Sequence, residues 1–298
     1  MKKMLVTGGT VFASRYIAEY YIAKGYDVYV LNRNSRPQPA GSSLIQADRH
    51  HLGEIIRPFH FDIVIDTAYN SQDVTLLLDA LGSYDDYVLI SSSAVYPEYG
   101  MQPFVEETPS GINKYWGKYG TDKIDAENAL MKRYPSAYIL RPPYLYGPMN
   151  NVYREAFVFD CALNDRPFYL PRNGEMNLQF FYIDDLCRFI DIILQNKPNQ
   201  HIFNVGNKDV VSICEWVKLC YHIVGKQVQF VNVFDDIDQR KYFSFYNYEY
   251  CLDVSKQLEL MANTKPLYDG LKDAFFWYRQ NTNQVNKKPY FDYIDQNL

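Results

Sequence analysis

The sequence predicts an α/β protein: a doubly wound parallel sheet followed by a smaller α+β C-terminal lobe. Three observations lead there. Residues 4–31 read as strand, tight turn, helix and strand. Strands then alternate with helices up to about residue 140. After Gly147-Pro148 the alternation stops.

Met4-Leu5-Val6 is an apolar run that ends at Thr7-Gly8-Gly9-Thr10. Phe12, Tyr16, Ile17, Tyr20 and Tyr21 recur at helical spacing, and Gly25 closes that helix. Residues 28–31 form the next strand, which completes a βαβ unit of Rossmann type. Leu44-Ile45 predicts a short strand ending near Asp48, with a weak helix after it. A buried strand at 62–66, a helix at 74–81 and a strand at 87–90 follow. The last of these runs into Ser91-Ser92-Ser93. A loop rich in Pro and Gly spans about 97–112, a helix is expected over 114–133, and 137–140 is another strand. Residues 1–147 are therefore expected to form a dinucleotide-binding domain, with a segment near 180–206 returning to it. Residues 148–298 are expected to form the smaller, substrate-binding lobe. Ser212-Ile213-Cys214-Glu215 has the form of a capping box, and the polar tail from about Asn281 is expected to be poorly ordered.

Composition excludes several classes of function. The 298 residues carry a formal net charge of -5, which gives nucleic acid no electrostatic footprint. Five irregularly spaced cysteines and five scattered histidines match neither a disulfide framework nor a metal ligand set. No apolar run is long enough for a membrane helix, and Met4-Leu5-Val6 is too short for a signal core, so a cytoplasmic location is expected. The 28 tyrosines, many in the last third, suggest amphipathic pocket walls.

Gly8 and Gly9 supply a tight turn between strand and helix. Free N–H groups and the helix dipole at such a turn attract a pyrophosphate. Gly8, Gly9, Thr10, Val11 and Phe12 are thus cofactor candidates. A dinucleotide pattern would place glycines where Val11 and Ser14 stand. The second strand ends at Leu31-Asn32-Arg33, without the acidic residue that would bond the ribose 2′-hydroxyl of NAD. Arg33 instead favours the 2′-phosphate of NADP over NAD, the alternative being a solvated arginine.

Tyr119 and Lys123 are four apart on one predicted helix, where an ammonium would lower the phenol pKa and make the tyrosine an acid/base. The same spacing occurs at Tyr20/Lys24 and Tyr268/Lys272. Only Tyr119 lies downstream of a serine cluster at the end of a strand, where ligands sit in open α/β sheets. The other two pairs are read as structural.

In order along the chain stand Thr7-Gly8-Gly9-Thr10, Ser91-Ser92-Ser93-Ala94-Val95-Tyr96, Tyr119-x-x-x-Lys123, Arg141-Pro142-Pro143-Tyr144-Leu145-Tyr146-Gly147-Pro148, Phe181-Tyr182-Ile183-Asp184-Asp185-Leu186 and Phe203-Asn204-Val205-Gly206. With these stretches the sequence resembles the extended short-chain dehydrogenase/reductases, the NAD-dependent epimerase/dehydratase family. The resemblance implies that Tyr119 is the acid/base, Lys123 its partner and holder of the nicotinamide ribose, and Ser92 the serine that bonds the substrate oxygen, with Ser93 the runner-up. It implies that Asp48 faces the adenine, that Ala68 lines the cofactor and that Pro142 and Pro143 border the nicotinamide. Arg141 and Asp184-Asp185 look architectural in such proteins. A nucleotide-sugar substrate, hydride transfer and a homodimer built partly on the Tyr119 helix are implied as well. Two alternatives remain: an NADPH-dependent reductase of a non-sugar carbonyl, and a non-catalytic cofactor- or RNA-binding member of the family. The residue at Val11 motivates the last, because a bulky residue there recurs in atypical branches that include plastid RNA-binding proteins.

Overall fold

The computed structural model describes residues 1–298. The first half holds β1 (Lys3–Thr7), α1 (Phe12–Ala23), β2 (Asp27–Asn32), β3 (Ser43–Gln46), β4 (His60–Asp66), α2 (Ser71–Ala80), β5 (Ser83–Ile90), α3 (Gly117–Arg133) and β6 (Tyr138–Arg141). The second holds β7 (Tyr144–Tyr146), α4 (Glu155–Leu163), β8 (Phe168–Pro171), β9 (Asn177–Leu178), β10 (Phe180–Tyr182), α5 (Ile183–Asn196), β11 (Ile202–Asn204), β12 (Val211–Ser212), α6 (Ile213–Val224), β13 (Phe230–Val233), α7 (Ser255–Leu260), α8 (Leu267–Gln280) and α9 (Tyr290–Asn297).

Seven strands form one sheet in the order β11-β6-β5-β4-β1-β2-β3, all parallel. Side chains alternate across each strand. Met4 and Val6 therefore join Ile17, Ala18 and Tyr21 of α1 and the buried face of α5 in one core. Leu5 points the other way, into a core built with Val74 and Leu77 of α2 and Ala126 and Leu130 of α3. Helices on both faces explain the unbroken apolar runs in β1 and β4. The strand order reverses between β1 and β4, which opens a crevice at the strands' C-terminal ends.

The second lobe is α+β: short ladders β7–β10, β8–β13 and β9–β12 pack with α4, α6, α8 and α9 around an aromatic-rich core. The chain returns to the large sheet through α5 and β11, and β11 pairs with β6. The loop after β5 is pinned to this region, since Phe104 N–H donates to Cys251 O and Asp253 N–H to Phe104 O, each at 2.8 Å.

Three expectations need correction. The helix expected from 114 begins at Gly117, because Asn113 folds residues 115–117 into a turn: its Oδ1 accepts from Tyr115 N–H at 3.0 Å and its carbonyl from Gly117 N–H at 2.9 Å. The weak helix after Asp48 is one 3-10 turn, Arg49–His51. The polar tail ends in the regular helix α9. Tyr290 and Ile294 recur at helical spacing and are buried, the Tyr290 ring stacks on Tyr153 at 5.8 Å, and Lys287 Nζ meets Asp160 at 2.8 Å. Mean polarity hid that one apolar face.

Candidate active site

The crevice at the strand reversal holds two adjoining cavities of about 560 and 530 Å³. Both are walled by Gly8, Thr10, Val11, Thr67 and Tyr69, so they form one trough over the turn between β1 and α1.

That turn requires glycine. Gly9 has φ +72°, and a Cβ there would lie 2.4 Å from Val30 Cγ1. Gly9 lies beneath the trough and shapes it without bordering it. Asn32 donates through Nδ2 to Gly8 O at 2.7 Å and to Gln38 at 2.9 Å, so it braces the turn while lining the first cavity. Val11 is extended, with φ −137° and ψ 135°, a conformation open to any residue. Ser14 Oγ donates to Val11 O at 2.9 Å. No side chain caps the N-terminus of α1, which leaves its N–H groups to an anion in the trough. The Gly-rich turn thus fits a pyrophosphate despite Val11, and Phe12 borders the second cavity.

Arg33, Arg36 and Asp48 line the first cavity. The Asp48 carboxylate accepts from His50 N–H at 2.9 Å, and that bond holds its pKa low. Behind them Asp66 is fully buried and accepts from Thr7 Oγ1 at 2.7 Å, Arg49 Nη2 at 2.6 Å and Tyr87 OH at 2.5 Å. His50 meets Asp73 at 2.9 Å. Burial works against the Asp73 carboxylate, but the Tyr69 N–H, His50 and Arg49 together hold its pKa below the usual value.

Tyr119, Lys123, Ser92, Ser93, Pro142 and Pro143 all line the second cavity. Lys123 is 4% exposed, and its Nζ donates to Ala68 O at 2.6 Å and Ile90 O at 2.9 Å. Burial pushes its pKa down to about 8, against the opposing pull of Asp66 and Glu127. Ala68 is itself fully buried, so it lends its carbonyl to Lys123 and does not border the trough; Thr67 and Tyr69 do. Tyr119 is 40% exposed as a residue, yet enclosure of its phenol raises the pKa, opposed by the Ser92 hydroxyl and the Arg154 guanidinium. Its ring centre lies 6.0 Å from Lys123 Nζ. The lowering expected from the spacing of Tyr119 and Lys123 is therefore not seen, because the amine is turned onto two backbone carbonyls.

The three serines have different tasks. Ser91 Oγ donates to Glu127 at 2.5 Å, and Glu127 receives a two-pronged ion pair from Arg141, so both belong to the scaffold. Ser93 Oγ is buried against Tyr250 OH at 3.1 Å. Ser92 Oγ accepts from Ala94 N–H at 3.1 Å, and its own proton faces the Tyr119 phenol, where a ligand oxygen would compete for it. Of the other Tyr/Lys pairs, Tyr20 and Lys24 both bind Asp191 and tie α1 to α5, while Tyr268 and Lys272 lie on α8. Sequence reasoning missed Thr67, Tyr69, Arg154 and Tyr250. The first two follow β4 at the strand reversal and were within its reach; the last two lie where the chain has no repeating pattern.

The profile of the NAD dependent epimerase/dehydratase family matches residues 4–206. The chloroplast stem-loop binding protein of 41 kDa b from Arabidopsis thaliana is 25% identical over 304 residues, covering 92% of this chain and 78% of that protein. A putative UDP-glucose 4-epimerase from Methanocaldococcus jannaschii is 25% identical over 318 residues, covering 93% and 99%. Among solved structures, dTDP-glucose 4,6-dehydratase from Bacillus anthracis in complex with NAD has a TM-score of 0.75 at 18% identity, covering 96% of this chain and 99% of that one. UDP-glucuronic acid 4-epimerase from Bacillus cereus in complex with UDP-glucuronic acid and NAD has a TM-score of 0.72 at 20% identity, covering 93% and 99%. Such structural likeness shows the shared fold, and the profile match over more than half of the chain shows descent: this protein belongs to the NAD dependent epimerase/dehydratase family.

Proposed function

We propose that this protein is an NAD(P)-dependent epimerase, dehydratase or reductase of a nucleotide-sugar, with Tyr119 as acid/base. The observation that carries the reading is the single trough that joins the Gly8–Thr10 turn to Tyr119, Lys123 and Ser92. Gly8, Thr10, Val11 and the uncapped start of α1 would hold the pyrophosphate. Asn32, Arg33 and Asp48 would hold the adenosine, and Arg33, with Arg36 beside it, favours a 2′-phosphate and so NADP. Pro142 and Pro143 would border the nicotinamide, which when bound supplies the hydride acceptor or donor. Lys123 would hold the adjoining ribose. Ser92 would donate to the reacting substrate oxygen and Tyr119 would return a proton to it; to take that proton the phenol, whose pKa enclosure raises, must first be ionised. The relative named as a putative UDP-glucose 4-epimerase supports a nucleotide-sugar substrate. A cytoplasmic homodimer formed partly through α3 belongs to the same reading, and light scattering gives its mass. The test is product formation from a panel of nucleotide-sugars with NADP or NAD. Tyr119→Phe is expected to lower turnover by about 10²–10⁴-fold; undiminished turnover by that variant refutes its role.

The likeness to the chloroplast stem-loop binding protein favours a second reading, a non-catalytic RNA-binding member. The net charge of -5 opposes it. RNA affinity that falls steeply with salt, together with an inert sugar panel, would replace the first reading with the second.

A further inference from the structure

Arg154 lines the second cavity together with Ser92, Tyr119, Tyr144 and Tyr250. It sits just before α4, on the second lobe, and faces the catalytic side chains of the first. One of its nitrogens is fixed, since Nη2 donates to Leu145 O at 2.8 Å, and its Cζ lies 5.5 Å from the centre of the Tyr144 ring. Its Nε is buried and has no hydrogen-bond partner. The adjacent acid, Glu155, feels the guanidinium charge but forms no ion pair with it. Glu155 is turned into the lobe, where Asn150 donates to it at 2.8 Å and burial pushes its carboxyl pKa up. A guanidinium with an unmet buried donor, a fixed plane and no carboxylate partner is an unfinished fork for an oxyanion. Ser92 and Tyr119 line the same cavity, which puts that oxyanion at the reacting end of the cleft.

We propose that Arg154 is an anion receptor in the sugar half of the cleft. It holds an oxyanion of the substrate beside Tyr119, either a carboxylate on the sugar or the phosphate attached to it. The inference rests on the nucleotide-sugar reading for the identity of that substrate, but not for the anion site itself. Charge on the sugar side would then help select the substrate, because a group that cannot accept from it leaves the buried Nε of Arg154 unmet.

Ligand-observed NMR titrations of the intact chain test this with probes that lack a nucleotide: glucuronate, glucose 1-phosphate and methyl glucoside. At least one of the two anions is expected to bind the wild type more tightly than methyl glucoside does. Arg154→Gln keeps a neutral donor for the Leu145 carbonyl, so it removes charge while sparing the fold, and it is expected to weaken that anion about tenfold or more. Arg154→Lys is expected to recover part of the loss. A loss confined to glucuronate assigns a carboxylate, and a loss with glucose 1-phosphate assigns the phosphate; either upholds the receptor. Equal affinities in wild type and Arg154→Gln, or no anion binding by the wild type, overturn it. The two readings separate cleanly. An inert nucleotide-sugar panel with Arg154-dependent anion binding sinks the proposed reaction alone, and normal panel turnover by Arg154→Gln with unchanged anion affinity sinks the receptor alone.

Discussion

Lys123 carries its charge in a buried place. Its pKa of about 8 against an ordinary 10.5 means that the folded chain releases this proton more readily than the unfolded chain does. Between those two values the unfolded state binds more protons, so the contribution of this group to stability rises with pH through that window. Its contribution to binding runs the opposite way, since the ammonium that would hold the ribose is lost as pH rises through about 8. Dinucleotide affinity of the wild type is expected to fall across that pH, whereas Lys123→Met is expected to bind more weakly at neutral pH and to lack the inflection. A fluorescence titration at several pH values checks both, and an inflection retained in Lys123→Met assigns it to another group. At this scale the sequence was legible where residue order carried information. Ser92, Tyr119 and Lys123 follow one another along the chain in the order the crevice needs. Arg154 was illegible, because a single arginine in an irregular segment carries no pattern, and only its unmet Nε marks it.

Among the elements, the turn between β1 and α1 would set the phosphate end in the proposed reading. Gly9→Ala forces a Cβ into Val30 at a positive φ and is expected to lower stability by roughly 1–3 kcal/mol. Val11→Gly tests the opposite case. Val11 adopts an ordinary extended backbone, so the glycine expected there is not needed for conformation. The side chain does border both cavities, and its removal is expected to leave dinucleotide affinity unchanged or higher. Chemical denaturation and calorimetry read the two variants, and a large loss of affinity in Val11→Gly contradicts the second expectation. Strand and helix positions were readable because apolar spacing reports buried faces directly. The start of α3 was not, since the local turn at Asn113 competes with the helical pattern, and α9 was hidden by the polar residues around its two buried positions.

In the whole molecule, function depends on two lobes meeting over a strand reversal. The parallel sheet with helices on both faces follows from the alternation of elements, while the strand order that places the crevice comes from the structure. The wall supplied by the second lobe does not follow, because Tyr144, Arg154 and Tyr250 are brought to the cleft by aromatic packing between distant segments. In the proposed reading substrate choice would reside in that wall. In the proposed reading cofactor choice would reside in the other half, where Arg33 and Arg36 line the first cavity. The most direct measurement is calorimetric titration of the intact chain with NADP and with NAD. One saturable site per chain is expected, with NADP bound more tightly and that preference lost in Arg33→Ala. Binding of neither dinucleotide contradicts the account at its foundation.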